Sequence, residues 1–400
     1  MAAKKPTSVA LLFAQFSVYH IDRCQSVARR LEGRAEVLAV EVATSSSKYA
    51  WEPSGTVHCA RKITLFPGEN YEDVAWIRKF WRQFKALRRC DTVFVGIGYN
   101  EPDIILLSWI LTIFGVQVVL MSDSKFDDKC RQVFKEFLKS VILMPYQAAV
   151  VAGYRQLRFF HFLGFRRRPM VLGYDTVDML RVRAMGGGLA APDGLAYPLR
   201  DFVFVGRFVD KKNLGELLQG YARYVKTTGS EARKLVLIGA GPEELSIRAE
   251  AEILGVTPLI DFAGFLSAEG VAERLSQALA LILPSIEEQW GLVVNEALAF
   301  GLPAIISPAV GAGDLLIRNL VNGYVIELNS PDGLATAMVA LAGDEMRWRM
   351  MVEASHGRAW LGDTERLADA VEYLVAPDSL NVAERMHAMH QFLPGSLPLR

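Results

Sequence analysis

The sequence has few of the residues from which proteins build disulfide frameworks and metal centres. It holds four cysteines in 400 residues, Cys24, Cys59, Cys90 and Cys130, and their spacing is too wide for a zinc pattern. No Asp-x-Asp pair and no group of histidines stands out as a cation site. We therefore expect reduced thiols, as in a cytosolic protein, and a chemistry without metal or cofactor.

Long apolar runs are nearly absent as well. Only Ile104–Met121 reaches the length of a membrane span, and Gly115 divides it into a helix-length piece and a β-branched piece. A buried helix followed by a buried strand explains this run better than a span. The run after Lys4 and Lys5 is too short to cross a bilayer and has no cleavage site after it, so we interpret 8–13 as the first strand.

The chain has no net charge, but its two halves differ in sign. Residues 1–180 hold 25 Lys and Arg against 17 Asp and Glu, whereas residues 181–400 hold 19 against 27. No nucleic-acid-binding motif accompanies the basic residues, so we expect no nucleic acid as partner. An anionic membrane surface or an anionic acceptor suits the basic half better.

Short apolar runs alternate with helical periods along the chain, which is typical of parallel sheets covered by helices. With 400 residues, about half of them apolar, the chain is long enough for two such domains. Glycines and prolines between 183 and 200 predict an irregular linker. The predicted organisation is an α/β protein with Rossmann-like domains at 1–182 and 201–378, the linker 183–200 and a C-terminal segment 379–400.

The elements expected in the first domain are strands at 9–13, 36–42, 92–97, 116–121 and 148–152 and helices at 21–32, 72–89, 102–114, 127–140 and 154–163. In the second domain the alternation continues with segments at 201–205, 214–224, 234–238, 243–254, 259–262, 268–278, 279–283, 292–299, 304–307, 314–318 and 324–326.

One stretch combines a buried strand, an acidic loop and a helix start. The run 278–283 predicts a parallel strand, and two adjacent carboxylates follow it before a helix begins. The first amides of that helix, at Gly291, Leu292 and Val293, are suited to bind a phosphate. A glutamate before a helix is also a common cap, so spacing alone leaves both interpretations open.

Residues 285–297 have the pattern Ser-x-x-Glu-x-Trp-Gly-x-x-x-x-Glu-Ala, and Gly-Leu-Pro follows at 301. This pattern resembles the E-x7-E signature of retaining glycosyltransferases of family four, nucleotide-sugar enzymes of the GT-B fold. The resemblance implies two domains facing across a cleft and a tail helix at 382–392 that returns to the first. It also implies that Glu288 is a catalytic residue at the donor sugar, with Glu287 as a competing choice, and that Glu296 contacts a donor hydroxyl.

Two cations with the spacing Arg-x4-Lys, and a second lysine next to the first, lie between the strand that ends at 205 and the helix that begins at 214. In this position they suit a diphosphate whose charge grows as the nucleotide leaves. A solvated turn, in which Asp210 pairs with a lysine, is the alternative. The Gly-Arg-Phe and Lys-Asn-Leu spacing resembles the phosphate-binding pair of the family, which assigns Arg207 and Lys212 as catalytic, with Lys211 as the alternative lysine.

Glycine turns supply the remaining donor contacts that the resemblance implies. Gly239 and Gly241 precede a proline, and a tight turn with a helix entry explains them by itself. In the family such a turn lies near the nucleotide, and the stretch 263–266, which contains Phe265, lies near the base. Asp314 stands where the family has a glutamate and is also explained as a helix cap. Because such contacts are made by the backbone, the sequence does not indicate which nucleotide is bound.

The first domain departs from the family pattern. Residues 14–20, after the first strand, contain no glycine, whereas the family has a glycine-rich loop near the donor phosphates. Without glycine the backbone cannot approach a phosphate so closely. His20 is a candidate sugar contact, with a structural role at the helix start as the alternative. Asp123 and Lys125, at a strand end where many members have histidine, are candidate sugar or acceptor contacts.

A basic amphipathic segment suggests a membrane partner. Residues 76–89 hold six cations and no acid, and Trp76, Phe80, Phe84 and Leu87 fall on one face of the predicted helix. Such a helix can lie on an anionic bilayer. The alternative is that this face packs on the sheet. The membrane interpretation gives the hypothesis of a peripheral protein on the inner face of the membrane that glycosylates a lipid-linked acceptor.

The residues and the resemblance together predict a metal-independent retaining glycosyltransferase. It would move a hexose-like sugar from a nucleotide diphosphate sugar to a hydroxyl, with lipid-linked acceptors and surface polysaccharides among the candidates. Covalent and same-face mechanisms stay open. A nucleotide-sugar epimerase of the same fold is one alternative, and a non-catalytic nucleotide-sugar-binding protein is another, because the glycine loop and the histidine are missing.

Overall fold

The computed structural model describes residues 7–47, 55–128, 131–379 and 381–391. The chain divides into two compact units, one formed by the residues up to Asp178 together with those from Thr364 onward, the other by Met179–Asp363. Cys130, the two N-terminal lysines and residue 392 of the predicted tail helix lie outside the described residues.

The first unit is built on a seven-stranded parallel sheet with the order β3-β2-β1-β4-β5-β6-β7. Its strands are β1 (Thr7–Phe13), β2 (Ala35–Ser45), β3 (Arg61–Asn70), β4 (Thr92–Val95), β5 (Gln117–Ser122), β6 (Ala148–Val151) and β7 (Met170–Leu172). The central strands are short runs of Val, Ala, Leu and Phe that are buried on both faces, as a sheet covered by helices requires. The chain changes direction across the sheet between β1 and β4, the position where such sheets bind ligands.

The helices of the first unit come from both ends of the chain. They are α1 (Val18–Arg30), α2 (Trp76–Leu87), α3 (Pro102–Ile113), α4 (Val133–Ile142), α5 (Tyr154–Phe162) and, from the C-terminal part, α14 (Glu365–Val375) and α15 (Val382–His390). Arg30 on α1 forms ion pairs with Glu365 and Asp369 on α14, and Arg34 pairs with Glu372 at 2.6 Å. Arg385 on α15 pairs with Asp369 at 2.7 Å, and α15 belongs to the same compact unit, so the predicted return of the tail helix to the first domain is confirmed.

The second unit has a six-stranded parallel sheet with the order β10-β9-β8-β11-β12-β13. Its strands are β8 (Asp201–Val205), β9 (Leu235–Ile238), β10 (Ile260–Gly264), β11 (Ala278–Leu283), β12 (Ala304–Ile306) and β13 (Gly323–Val325). Its helices are α6 (Met179–Met185), α7 (Leu214–Thr228), α8 (Glu244–Ile253), α9 (Ala268–Ser276), α10 (Leu292–Ala299), α11 (Gly313–Leu316), α12 (Pro331–Ala342) and α13 (Glu345–Ala359). Both units therefore repeat one Rossmann-type strand order.

Several elements differ from the sequence-based expectation. β3 was not predicted because Pro67 and Gly68 within it are turn signals, and β7 because it has only three residues. Part of the predicted irregular linker is helical, since α6 continues to Met185. The division between the units falls at 178 and 363 rather than at 182 and 378, because α14 is held by ion pairs to α1.

The longest apolar run of the sequence forms two elements. Ile104 lies in α3, Gly115 turns with a φ of 79°, and Met121 lies in β5, so the prediction of a buried helix followed by a strand is confirmed. Among the helices of the described ranges, none combines the length and the apolar character that crossing a bilayer requires.

Candidate functional site

The acidic motif lies at the carboxyl edge of the second unit's sheet. β8 and β11 are neighbours there, and the chain crosses the sheet in opposite directions from this pair. The loop 206–213 follows β8, and the loop 284–291 follows β11. Ligands of open α/β sheets bind outside the carboxyl ends of the strands at such a point. The topology therefore places the two predicted donor loops side by side.

A lysine and a glutamate connect these loops. Lys212 forms an ion pair with the Oε2 atom of Glu288, and the Ser285 hydroxyl donates a hydrogen bond to the same oxygen at 3.3 Å. The two charged side chains are 13% and 14% exposed, so both can be reached by a ligand. The amide of Ile286 donates to the carbonyl oxygen of Lys211 at 2.9 Å. Lys212, and not its neighbour Lys211, thus presents its ammonium group to the acidic motif.

Arg207 lies in the same loop as Lys212, and its side chain is exposed. Its carbonyl oxygen accepts a hydrogen bond from the amide of Val209 at 3.0 Å, which keeps the loop in a tight turn. An exposed cation in this loop can meet an anionic ligand without the full desolvation of a buried charge, and a contact of Arg207 with the donor stays a prediction.

Gly291 lets the chain enter α10 directly from the acidic loop. It has φ 98° and ψ 67°, a left-handed conformation that residues other than glycine rarely adopt. Leu292 and Val293 follow as the first helical residues and are half-buried, so their amides lie near the surface. Glu296 lies in the next turn and is 9% exposed. The helix start that was predicted from the sequence is therefore present.

Trp290 and Asn295 hold the loop against α10, a role that the sequence analysis did not assign. The indole Nε1 of Trp290 donates to Asn295 Oδ1 at 3.0 Å, and Asn295 Nδ2 donates to the carbonyl oxygen of Gly362 at 3.0 Å. Both side chains are buried. A tryptophan inside an otherwise polar loop was the available signal, because a buried indole needs a hydrogen-bond acceptor.

A third loop supports the acidic motif from the side of β12. Gly311 donates its amide to the carbonyl oxygen of Glu288 at 3.2 Å, and Ala312 donates to that of Trp290 at 2.9 Å. A Cβ atom on Gly311 would lie 1.8 Å from the carbonyl oxygen of Gln289. Glycine is therefore required here for close backbone contact, and Asp314 stands in the first turn of the short helix α11.

The glycine turn after β9 supports the loop that carries Arg207. A Cβ atom would lie 1.9 Å from the carbonyl oxygen of Gly206 if added to Gly239, and 2.3 Å from that of Phe208 if added to Gly241. The amide of Phe208 also donates to the carbonyl oxygen of Ala240 at 2.9 Å. These glycines are explained by packing between loops, and a direct ligand contact stays a prediction. Phe265, after β10, is 76% exposed.

His20 has a structural position at the start of α1. Its Nδ1 atom accepts a hydrogen bond from the amide of Ser17 at 3.0 Å and lies 3.0 Å from the Ser17 hydroxyl, which completes a capping box. Burial, and to a lesser extent the charge of Arg23, hold the pKa of His20 well below its usual value. The imidazole is therefore neutral, and the structural alternative accounts for its position without a sugar.

Asp123 belongs to a pair of carboxylates at the carboxyl edge of the first sheet. Burial and the nearby Asp175 carboxylate raise the pKa of Asp123 to about 7. Asp175 itself pairs with the guanidinium group of Arg23 at 3.2 Å, and Arg23 Nε donates to the carbonyl oxygen of Thr176 at 3.0 Å. Asp123 can therefore change its protonation near neutral pH, as a hydroxyl-binding or proton-accepting group would.

Lys125 has partners within its own loop. It is 1% exposed, and its ammonium group lies 2.9 Å from Asp128 and 3.3 Å from Asp127. Its amide also donates to Asp128 at 2.9 Å. These contacts stabilise the turn after β5 and explain the burial of Lys125, and its contact with a sugar or an acceptor stays a prediction.

Two of the four residues on the α2 face that was predicted to lie on a membrane are buried, and a third, Phe84, is half-buried. Phe80 and Leu87 are buried, whereas Trp76 and Trp81 are exposed. Lys79, one of the six cations of this segment, is also buried and lies 3.7 Å from the centre of the Tyr71 ring. The alternative interpretation, in which the apolar face packs against the protein, therefore holds for Phe80 and Leu87.

Among the residues that the structure describes, no three His, Cys, Asp or Glu side chains are grouped as metal ligands would be. Cys24 and Cys90 are buried free thiols, and Cys59 is an exposed one. Burial raises the pKa of the Cys24 thiol well above its usual value, so this thiol stays protonated. Independence of metal stays a prediction.

Known proteins resemble the chain in sequence and in fold. Residues 196–357 match the family described as "Glycosyl transferases group 1". Over 160 residues the chain is 29% identical to N-acetyl-alpha-D-glucosaminyl L-malate synthase from Bacillus anthracis, a match that covers 40% of each chain. The chain spans 35% to 49% of the length of three such curated relatives.

Two solved structures match almost the whole chain. Sucrose-phosphate synthase from Thermosynechococcus elongatus has a TM-score of 0.67 at 18% identity, over 92% of this chain and 98% of that one. The Anabaena protein HepE, solved in complex with UDP and glucose, has a TM-score of 0.68 at 13% identity, over 93% and 100%. The chain therefore has the GT-B fold, and its second unit contains a segment that matches group 1 of the glycosyl transferases.

Proposed function

We propose that the protein is a retaining glycosyltransferase that transfers a sugar from a nucleotide diphosphate sugar to a hydroxyl group. The observation that carries this proposal is the ion pair between Lys212 and Glu288 at the switch point of the second sheet, beside the start of α10. It combines a cation, a carboxylate and free helix amides, which are the groups that a diphosphate and a sugar need.

The first requirement of the proposed reaction is stabilisation of the leaving diphosphate. As the bond between the sugar and the phosphate breaks, negative charge grows on the diphosphate, and Arg207 and Lys212 stabilise it together with the amides of α10. This arrangement performs the role that a cation has in other enzymes, so we propose a metal-independent reaction. Glu288 then holds a hydroxyl of the donor sugar, and Glu296 contacts a second one.

A uridine nucleotide is the first donor to test, because the similar Anabaena protein HepE was solved with UDP and glucose. In the proposed mode, Gly239 and Gly241 support the diphosphate side of the site and the loop with Phe265 lies near the base. The acceptor is a hydroxyl, with a lipid-linked sugar and a growing polysaccharide as candidates. Asp123 is the residue of the first unit that we assign to acceptor or sugar binding.

The proposal is tested by incubating the full chain with a panel of uridine, guanosine, adenosine and thymidine diphosphate sugars. Thermal stabilisation measures binding, and release of the nucleotide measures turnover, including slow hydrolysis of the donor without an acceptor. We expect the diphosphate sugars of one nucleotide to raise the thermal midpoint of the protein. We also expect the protein to split that donor into free nucleotide and sugar. Stabilisation without any release would instead support a nucleotide-sugar-binding protein.

One observation favours that second candidate. The loop after β1, which is glycine-rich in the family, is occupied by the buried side chain of Phe16, whose amide donates to Glu41 at 3.0 Å. A binding protein would not need that loop to approach the donor phosphates. The epimerase alternative is not favoured, because the family segment is that of a transferase.

A further inference from the structure

Helix α4 of the first unit exposes its apolar side chains and buries a charged one. Five of its six large apolar residues are exposed to solvent, namely Val133, Phe134, Phe137, Leu138 and Val141, and so is Met144 after its end. Their spacing places the helical ones along one stripe of the helix. Its one acidic residue, Glu136, is buried. A helix that covers a sheet ordinarily buries its apolar side chains and exposes its charged ones, and α4 does the reverse.

The inner side of α4 is stabilised by charged and aromatic groups. Glu136 accepts from the ammonium group of Lys139 at 2.8 Å and lies 3.5 Å from the guanidinium group of Arg131. Arg131 lies 4.5 Å from the centre of the Phe159 ring on α5, and Lys139 lies 5.6 Å from it. The orientation of the helix is thus held by specific contacts, and its apolar stripe faces outward as a consequence.

The surroundings of this stripe are strongly basic. Residues 131–168 hold eight Lys and Arg and a single acidic residue, which is the buried Glu136. This segment is one of two strongly basic segments in residues 1–180, the other being 76–89. The exposed cations include Lys135 on α4, Arg158 on α5, and Arg166 and Arg167 after α5. An exposed apolar stripe among cations is the pattern of a helix that lies in the interface of an anionic bilayer.

We propose that α4 docks the protein on an anionic lipid surface, with Phe134 and Phe137 entering the headgroup region and the surrounding cations attracting the lipid phosphates. A helix of ten residues is about 15 Å long, so it lies in the plane of the surface and does not cross it. This assignment moves the membrane contact from α2, whose Phe80 and Leu87 are buried, to α4.

A lipid surface fits this stripe better than a protein partner. The stripe is lined by flexible apolar side chains with no exposed carboxylate on the helix, and it lies in a strongly cationic segment of the first unit. Anionic lipids supply charge over a wide area and need no specific complementary shape. The inference is independent of the donor chemistry, because it concerns a surface of the first unit.

The test measures binding of the full chain to phosphatidylcholine vesicles with and without phosphatidylglycerol, by flotation, in the absence of any nucleotide sugar. We expect binding that requires the anionic lipid and weakens as salt is raised. The variant Phe134→Ser with Phe137→Ser should lower the partition coefficient by roughly tenfold or more, because two aromatic side chains no longer enter the interface. These residues are 70% and 63% exposed, so their replacement should leave folding intact.

The matched control is Leu245→Ser with Ile253→Ser on α8, two apolar residues of the second unit that are 83% and 85% exposed. It should bind vesicles like the unaltered chain. The thermal midpoint and the nucleotide binding of each variant are measured to verify that folding and the donor site are intact. Loss of vesicle binding can then be distinguished from loss of the proposed sugar transfer. Equal binding by the Phe134 and Phe137 variant, or no vesicle binding at all, would overturn the proposal. Self-association that this variant abolishes, without vesicle binding, would assign the stripe to a protein interface instead.

Discussion

The two sheets have the same strand order, but their carboxyl edges are built differently. In the second unit the loop after β9 lies backbone to backbone against the loop after β8, and the loop after β12 lies in the same way against the loop after β11. Gly239, Gly241 and Gly311 allow this approach, because a Cβ atom at any of them would lie 2.3 Å or less from a carbonyl oxygen. The charged side chains Lys212 and Glu288 stand on this compact base.

In the first unit, side chains occupy the corresponding edge. Phe16 fills the loop after β1, His20 caps α1, and Arg23 joins α1 to Asp175 and Thr176 in the loop after β7. Lys125 closes the turn after β5. An edge formed by backbone contacts between loops suits a chemical group that many substrates share, such as a diphosphate. An edge occupied by side chains can differ from one protein to the next, which agrees with the proposal that the first unit binds the acceptor.

The strongest way to test the contrast is the replacement Glu288→Gln. If the second edge is the donor site, the variant should lose roughly 100- to 1000-fold in transfer rate, because the carboxylate no longer holds the sugar in the transition state. Binding of the nucleotide alone, measured by calorimetry, should change little. Glu287→Gln is the control and should keep most activity. Near-normal transfer by Glu288→Gln would show that Glu288 does not have the proposed role.

A smaller effect is expected for Lys212→Ala. Loss of the ammonium group should weaken the binding of a nucleoside diphosphate roughly 100-fold, because a charge-assisted contact to the phosphate disappears. Lys211→Ala retains the backbone carbonyl that binds Ile286 and removes only the adjacent charge. Calorimetric titration should separate the two variants clearly. Equal weakening by both would mean that the loop contributes only a diffuse positive potential.

The edge formed by backbone contacts is tested by Gly241→Ala. The added methyl group would meet the carbonyl oxygen of Phe208 at 2.3 Å, so we expect a loss of about 2 kcal/mol in the free energy of unfolding. Urea denaturation measures it. Gly357→Ala on α13 is the control, because no atom lies within 4 Å of its added Cβ, and it should be neutral or slightly stabilising. A Gly241→Ala variant as stable as this control would argue against the tight loop packing.

The smallest expected effect concerns the first edge and its pH dependence. The pKa of Asp123 is raised to about 7 in the folded protein by burial and by Asp175, whereas an unfolded aspartate has a value near 3.9. Between these values the folded state binds a proton that the unfolded state has lost, so this group makes stability fall as pH rises. The fall should be on the order of 1 kcal/mol between pH 6 and 7. Asp123→Asn should reduce this slope in denaturation curves, and an unchanged slope would contradict the assignment.

The sequence predicted most of the second unit because its elements are short, regular and separated by glycine turns. The strand at 278–283 and the helix at 292–299 were predicted with the bounds they have or within a residue or two, since a buried apolar run and a helix start are local signals. β3 escaped prediction because its Pro67 and Gly68 contradict a strand locally, and pairing with β2 overrides them.

The candidate site could be predicted as a set of residue types but not as an arrangement. Arg207, Lys212 and Glu288 were assigned through spacing and resemblance. The ion pair joins positions 212 and 288, which are distant in the chain, and no local pattern reports it. The roles of Trp290 and Asn295 likewise depend on the carbonyl oxygen of Gly362, which belongs to another part of the second unit.

By itself, the sequence determined the two α/β units, the acidic motif at 285–297 and the excess of positive charge in the N-terminal half, because these depend on periodicity, local turn chemistry and composition. Tertiary structure alone decided that Lys212 faces Glu288 and that α4 turns its apolar stripe outward. The physical reason is common to both. A side chain's surroundings are set by whichever distant segments pack against it, and the local sequence does not specify them.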